Sequence, residues 1–435
     1  MPKTIPFRKG LSSVLFWSVI SAAFIGPGTV TTASSAGAAY QLHLLWALTF
    51  STLATILLQE ASARITIASG KSLGEIIALQ YVGRSGQQLK IGLFLAVAFG
   101  CAAYEAGNIL GAVSGLLFLI TGVPKYVFTL GLGVFCATLL WTNNFQFIAR
   151  AMGIVVFLMG IAFIWVAVQI DFTAIEFFKG ALLPTFPAGA SLLIIGLIGT
   201  TIVPYNLFLA SGIGQGQDIK EMRIGIAIAV LLGGIISMAI LMAGTLVEGT
   251  YSYEALTQAM STKLGNWAVL LFGFGLFAAG MSSAITAPLA AAVTGRSLLG
   301  FRQDAGMFRV IWMIVLGVGL FFGLTEIRPI PAIILAQAIN GVLLPIVAIF
   351  LLLAVNDQKL LPKDFRNTFW ANILMLLIVG VATILGLTNV GKALGNFIPV
   401  LNEKADVVLW VDVVLTIGIV ALLGKRIFWN ERVNN

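Results

Sequence analysis

An all-α integral membrane protein is the fold class that this sequence predicts, on three observations. Of its 435 residues, 59% are hydrophobic and 10% charged, and the mean hydropathy is +1.02. The apolar residues gather in stretches of about 18 or more, the length a helix needs to cross a bilayer. The first and sixth of these stretches are interrupted near their middles by glycine and proline.

A water-soluble chain of this length needs a charged exterior, which this composition does not supply. A single transmembrane domain over residues 1–435 is expected. The formal charge of +8 is not a nucleic-acid footprint, because the basic residues form short clusters between apolar stretches, as positive-inside sorting requires. Cys101 and Cys136 lie in apolar runs without Cys/His spacing and read as buried small hydrophobes. No nucleophile elbow, phosphate-binding loop or metal-ligand spacing occurs, so an enzyme is not expected. The basic start, Met1 to Gly10, shows no cleavage site closing a short apolar core, and reads as a cytoplasmic tail.

Candidate spans lie near 13–37, 44–67, 91–120, 124–143, 149–170, 189–214, 222–246, 266–297, 308–325, 331–355, 369–388 and 407–425, twelve in all. With the N-terminus inside, the outer loops hold Lys125, Lys179, Lys263, Arg328, Lys392 and Lys404, leaving nineteen of the 25 basic residues on the inner side. That bias puts both termini in the cytoplasm of a chain embedded in the lipid of the cell's inner (plasma) membrane.

The first span contains Gly26-Pro27-Gly28-Thr29 at mid-membrane, where Pro27 removes a backbone donor and two glycines loosen the chain. The sixth contains Gly199-Thr200-Thr201-Ile202-Val203-Pro204-Tyr205. Matched interruptions in spans one and six point to a LeuT-type fold: two inverted five-helix repeats, near 13–170 and 189–355, with one or two further helices near 369–425. In such a fold the solute binds at the unwound segments. Alternating access around these breaks, moving a small solute, is the expected mechanism.

These segments, with Leu57-Leu58-Gln59, Ala63-Arg64, Gly70-Lys71-Ser72-Leu73, Pro204-Tyr205-Asn206-Leu207-Phe208-Leu209 and Gln337…Leu344-Pro345, resemble the Nramp family of divalent metal transporters over most of the chain. The resemblance implies a LeuT-type fold of eleven or twelve helices. The departures fall where the family binds metal: its span-one aspartate and asparagine fall on Gly26 and Thr29, its span-six alanine and methionine on Thr200 and Val203, and the following histidine on Tyr205. Its span-three carboxylate pair falls on Glu105 and Asn108.

Transition metals want imidazole, thiolate, thioether or carboxylate. The one histidine, His43, lies in a predicted outer loop, and none of those groups occurs at the breaks. Beyond Gly28 the chain instead offers Thr29, Thr31, Thr32, Ser34 and Ser35 at a helix N-terminus, faced by Thr200 and Thr201, a setting that suits an anion. The substrate site is therefore expected over Gly26, Pro27, Gly28, Thr29, Thr32, Thr200, Thr201, Val203 and Tyr205. A small oxyanion or carboxylate such as bicarbonate is the first expectation. A divalent cation, Mg²⁺ or Mn²⁺, is the alternative that the resemblance implies, and a non-transporting membrane sensor is the third reading. No cofactor is expected beyond a coupling Na⁺ or proton. For that ion, Glu105 and Asn108, one turn apart, are expected to form a polar path with Gln337 and Asn340 of span ten. Glu60 and Arg64 read as a helix ion pair, and Asp412 as an acid snorkelling from the last span.

Overall fold

The computed structural model describes residues 25–142, 146–213, 216–301, 306–395 and 405–433. The basic N-terminal stretch and the start of the expected first span, through Phe24, lie outside these residues. Helices dominate because lipid offers nothing to a backbone N–H or C=O, so each apolar segment must satisfy its own.

The expected first span appears as α1 (Pro27–Tyr40), and the second as α2 (Leu45–Ser69). After the short α3 (Leu73–Gln80) come α4 (Gly83–Leu119), α5 (Lys125–Thr142) and α6 (Gln146–Val168). The short α7 (Ala174–Leu182) leads into the sixth span, which is two helices, α8 (Ser191–Thr201) and α9 (Pro204–Ile213). Then follow α10 (Ile219–Gly244), the short α11 (Tyr253–Leu264), α12 (Trp267–Leu299), α13 (Gly306–Leu324) and α14 (Pro329–Val355). The chain closes with α15 (Phe369–Gly395) and α16 (Ala405–Val433).

Several helices outrun the apolar stretches that predict them. The long α4 begins at Gly83 rather than near 91, because Arg84, Gln87, Gln88 and Lys90 are good helix formers that continue it into the aqueous phase. The short helices are written by their caps. Ser72 with Glu75 and Thr173 with Glu176 form complete capping boxes on α3 and α7, while Gly70 (φ 70°) ends α2 in the left-handed conformation.

Small residues set the spacing of the bundle, as membrane packing favours. α12 runs along α4, and a Cβ on Gly280 would meet the Asn108 carbonyl at 2.6 Å. α14 runs along α8 through Gly199 and Gly341. α1 lies in the middle, with residues 27–37 all buried.

At the end of the bundle that carries α3, the Glu60 carboxylate accepts from Arg64 at 3.0 Å, as expected, and also from Arg223 of α10 at 2.8 Å. Arg64 further donates to the Phe365 carbonyl and, at 2.7 Å, to Asn367 Oδ1. Replacing Glu60 with glutamine is expected to destabilise the protein by about 1–3 kcal/mol, the cost of weakening charged hydrogen bonds. Thermal aggregation in detergent would register this as a lower midpoint.

Asp412 corrects the sequence reading. It does not snorkel: it is buried between α15 and α16, where Thr388 Oγ1 donates to its Oδ2 at 3.3 Å.

Candidate ion-binding site

The break in the sixth span is narrower than the glycine and proline pattern implies. Proline is at ease in the first turn of a helix, where its missing N–H is not needed. Accordingly Pro27, Gly28 and Thr29 are already helical, with Gly26 as the extended N-cap of α1 (φ −117°, ψ −176°). Likewise Gly199, Thr200 and Thr201 remain in α8, and only Ile202 and Val203 separate it from α9. The expected unwinding over Gly199–Pro204 thus contracts to residues 202–203, and of the segment Gly26–Thr29 only Gly26 lies outside the helix.

The breaks face each other. Thr29 Oγ1 and Thr200 Oγ1 lie 3.0 Å apart, and both side chains are buried. Gly111 of α4 presents no side chain to Pro27, so the start of α1 rests directly on α4. Gly28 lies against the side-chain amide of Gln337 so closely that a methyl group there would overlap it. Thr32 approaches the same pocket, its methyl 3.1 Å from a Cβ placed on Gly196. Within this buried cluster, Thr32 Oγ1 and Gln337 Oε1 have no hydrogen-bond partner among the described residues. Val203 and Tyr205 are buried in the hinge between α8 and α9.

Ending a helix releases carbonyls. In an unbroken span the carbonyls of Gly199, Thr200 and Thr201 would accept from residues 203, 204 and 205. Here the Tyr104 hydroxyl donates to the Gly199 carbonyl at 2.6 Å. The Thr55 hydroxyl reaches the Thr201 carbonyl at 3.2 Å, shared with the Ser51 carbonyl at 2.7 Å. The Thr200 carbonyl has neither replacement. Residue 204 is a proline with no N–H to give, and no described residue donates to it.

Not every hydroxyl of α1 serves this site. Thr31 Oγ1 pairs with the Tyr253 hydroxyl at 2.7 Å, and Ser34 Oγ with that of Tyr251 at 2.6 Å. These two residues form the opposite face of α1, roofed by the segment that enters α11. Burial raises both phenol pKa values above the ordinary 10.0, so both hydroxyls keep their protons throughout the physiological range. The double variant Tyr251→Phe, Tyr253→Phe is expected to loosen this roof. A cysteine replacing Ser35 should then react several-fold faster with a membrane-impermeant thiol reagent added from the α11 side, with the buried Cys101 and Cys136 silent.

The expected coupling path is only partly assembled. Asn108 Nδ2 donates to Glu105 Oε2 at 3.3 Å, and both residues are buried, with Glu105 Oε1 unpartnered among the described residues. Glu105, however, faces α13, where a Cβ on Gly319 would meet its Cγ at 2.6 Å. Asn340 bonds a different face of α4, at the Gly100 carbonyl (3.2 Å), and Gln337 reaches Gly28. Helical periodicity separates these faces: residues 100, 104, 107 and 111 of α4 look toward α14 and the breaks, whereas 101, 105 and 109 look toward α13. His43 is exposed, as expected for a loop residue. Among the described residues no three His, Cys, Asp or Glu side chains come together.

Comparison with known proteins supplies the lineage. The model of the family described as natural resistance-associated macrophage protein-like matches residues 18–392. The chain belongs to the Nramp family. Relatives within it include the divalent metal cation transporter MntH of Bacillus subtilis, 27% identical over 393 residues, covering 85% of this chain and 90% of that protein. The divalent metal cation transporter MntH of Yersinia pestis is 26% identical over 400 residues, covering 86% and 95%. A crystal structure of the Eremococcus coleocola manganese transporter, in complex with an aromatic bis-isothiourea substituted compound, superposes with a TM-score of 0.72 at 20% identity, covering 98% of this chain and 96% of that one. A closed nucleobase-cation-symport-1 family transporter gives 0.53 at 17% identity. The fold is LeuT-type, and the Nramp chain described here is a multi-pass membrane transporter of that architecture. Tyr104, Thr55 and the Tyr251–Tyr253 pair are the site's neighbours that the sequence does not single out. Their signal, a hydroxyl inside or beside an apolar run, is too common to select them.

Proposed function

We propose that this protein is a secondary transporter of a hard divalent cation of the Mg²⁺ or Mn²⁺ class, carried with part of its water shell between the breaks at Gly26 and Ile202–Val203. The observation that supports this reading is the carbonyl of Thr200, which Pro204 cannot serve and which has no donor among the described residues, beside the Oε1 of Gln337, which has no partner among them either. Both are acceptors. Each buried acceptor without a donor costs about 1–3 kcal/mol, which a cation, or a water it holds, recovers on binding. The C-terminal end of α8 adds a partial negative charge in the same place. With neutral oxygens alone, such a site suits an ion that keeps several waters rather than a soft metal needing sulfur or imidazole. The naming of the relatives as divalent metal cation transporters points the same way.

A small oxyanion, the first expectation from sequence, becomes the second reading. Gly26 caps α1 without a side-chain bond, which favours an anion. Against it, Thr31 pairs with Tyr253, and Ser34 donates to the Val30 carbonyl and meets Tyr251, both away from the breaks. In this proposal Glu105 with Asn108 handles a coupled Na⁺ or proton from the α13 side of α4. Both termini lie in the cytoplasm of a plasma-membrane protein, as the basic residues sort. Purified protein in liposomes, assayed for tracer Mg²⁺, Mn²⁺ and bicarbonate uptake, tests the reading. Saturable uptake of either cation is expected; saturable bicarbonate uptake with neither cation moved would replace it with the anion reading.

A further inference from the structure

The Tyr104 side chain of α4 touches both halves of the broken sixth span. Its hydroxyl donates to the Gly199 carbonyl in the last turn of α8, at 2.6 Å. Its ring meets that of Tyr205, in the first turn of α9, edge-on, with centroids 5.5 Å apart and planes at 86°. Tyr104 and Tyr205 are both buried, so neither contact competes with water. The same helix carries Gly111, on which Pro27 rests, so α4 bears on both breaks through one face.

The bond to Gly199 does what the missing helical N–H of residue 203 would have done. Without it, Gly199 would offer a second free carbonyl beside that of Thr200, and the last turn of α8 would have one anchor fewer. Thr55 is the weaker counterpart, since its single proton also serves the Ser51 carbonyl. The edge-on contact meanwhile sets how far α9 stands from α8, a span that Ile202 and Val203 alone could not hold rigid.

We propose that Tyr104 is a positioning residue for the transported ion: by claiming the Gly199 carbonyl and bracing Tyr205, it holds the Thr200 carbonyl at a fixed place in the break. The inference rests on the reading of Thr200 given under the proposed function, and its test carries one readout that does not depend on any ion. Tyr104→Phe keeps the ring and removes only the hydroxyl, whereas Tyr104→Leu removes both contacts. Full-length variants in detergent are compared by hydrogen exchange over residues 199–206, and in liposomes by tracer Mn²⁺ uptake.

For Tyr104→Phe, exchange over 199–206 should quicken several-fold with other helices unchanged, and KM for Mn²⁺ should rise at least fivefold with the maximal rate within twofold. Tyr104→Leu should lower the maximal rate as well. A merely structural role would instead spread faster exchange through α4 and its neighbours and lower the maximal rate without moving KM. Wild-type exchange and wild-type KM in Tyr104→Phe would overturn the proposal. If the wild-type protein moves no Mn²⁺, the cation reading loses that ion, and the exchange result alone decides whether Tyr104 holds the break. Should Tyr104→Phe fail to fold, Tyr205→Leu removes the ring contact from the other side, and unchanged exchange over 199–206 there would equally overturn the bracing role.

Discussion

Replacing Gln337 with alanine is expected to weaken ion uptake about ten- to hundredfold at low ion concentration. The substitution removes a buried acceptor that has no partner among the described residues, and a hydrogen bond to a charged group contributes about 1.5–3 kcal/mol, with each 1.4 kcal/mol worth about a factor of ten. Gly28→Ala should reach a similar result by a different route, because the new methyl group takes the space of the Gln337 amide and turns it away. Proteoliposome uptake against ion concentration checks both. Gln337→Ala should act chiefly through KM. The double variant Gly28→Ala, Gln337→Ala should lose no more than either single change, because both act through the same amide; additive losses would show that the two positions do not meet.

Gly199→Ala should have the larger effect on the protein as a whole. A Cβ there meets the backbone of α14, overlapping the Gln337 carbonyl and lying 2.6 Å from the Gly341 nitrogen. Flexible side chains can yield, but two packed helices cannot without moving apart, and overpacking of this kind costs about 1–3 kcal/mol or more. Separating α8 from α14 would also shift Thr200 and Gln337 relative to one another. Both the thermal midpoint in detergent and ion uptake at every concentration are expected to fall, unlike in Gln337→Ala, which should keep the wild-type midpoint.

Much of the architecture is legible in the sequence because lipid imposes a simple rule. A run of apolar residues long enough to cross must be a helix, and from the second span on each predicted stretch is one, the sixth being split where Pro204 predicts. The position of the break in the sixth span is legible for the same reason, since Pro204 withdraws a backbone donor, and Pro27 likewise marks the start of α1. The width of the break is not, because proline also fits the first helical turn. The site is legible only as a neighbourhood. Gly28, Thr29, Thr32, Thr200 and Gln337 do come together, but which face of α4 carries Glu105 depends on the rotation of that helix, and the apolar residues around Glu105 fit either orientation. Asp412 fails for a related reason: an acid near a helix end reads as snorkelling until the hydroxyl of Thr388 is found across the interface. The sign of the solute is the hardest property to read. Ser and Thr hydroxyls serve cations and anions alike, and the group on which the proposed cation reading rests, the Thr200 carbonyl, belongs to the backbone and leaves no mark except the proline four residues on.

The most direct test of this account is a crystal structure grown with Mn²⁺ and examined by anomalous diffraction. A peak is expected between the Thr200 carbonyl and the Gln337 side chain, close to Thr29, and it should vanish in Gln337→Ala. A peak at Glu105 and Asn108 with none at the breaks, or bound anion density at the N-terminus of α1 in its place, would contradict it.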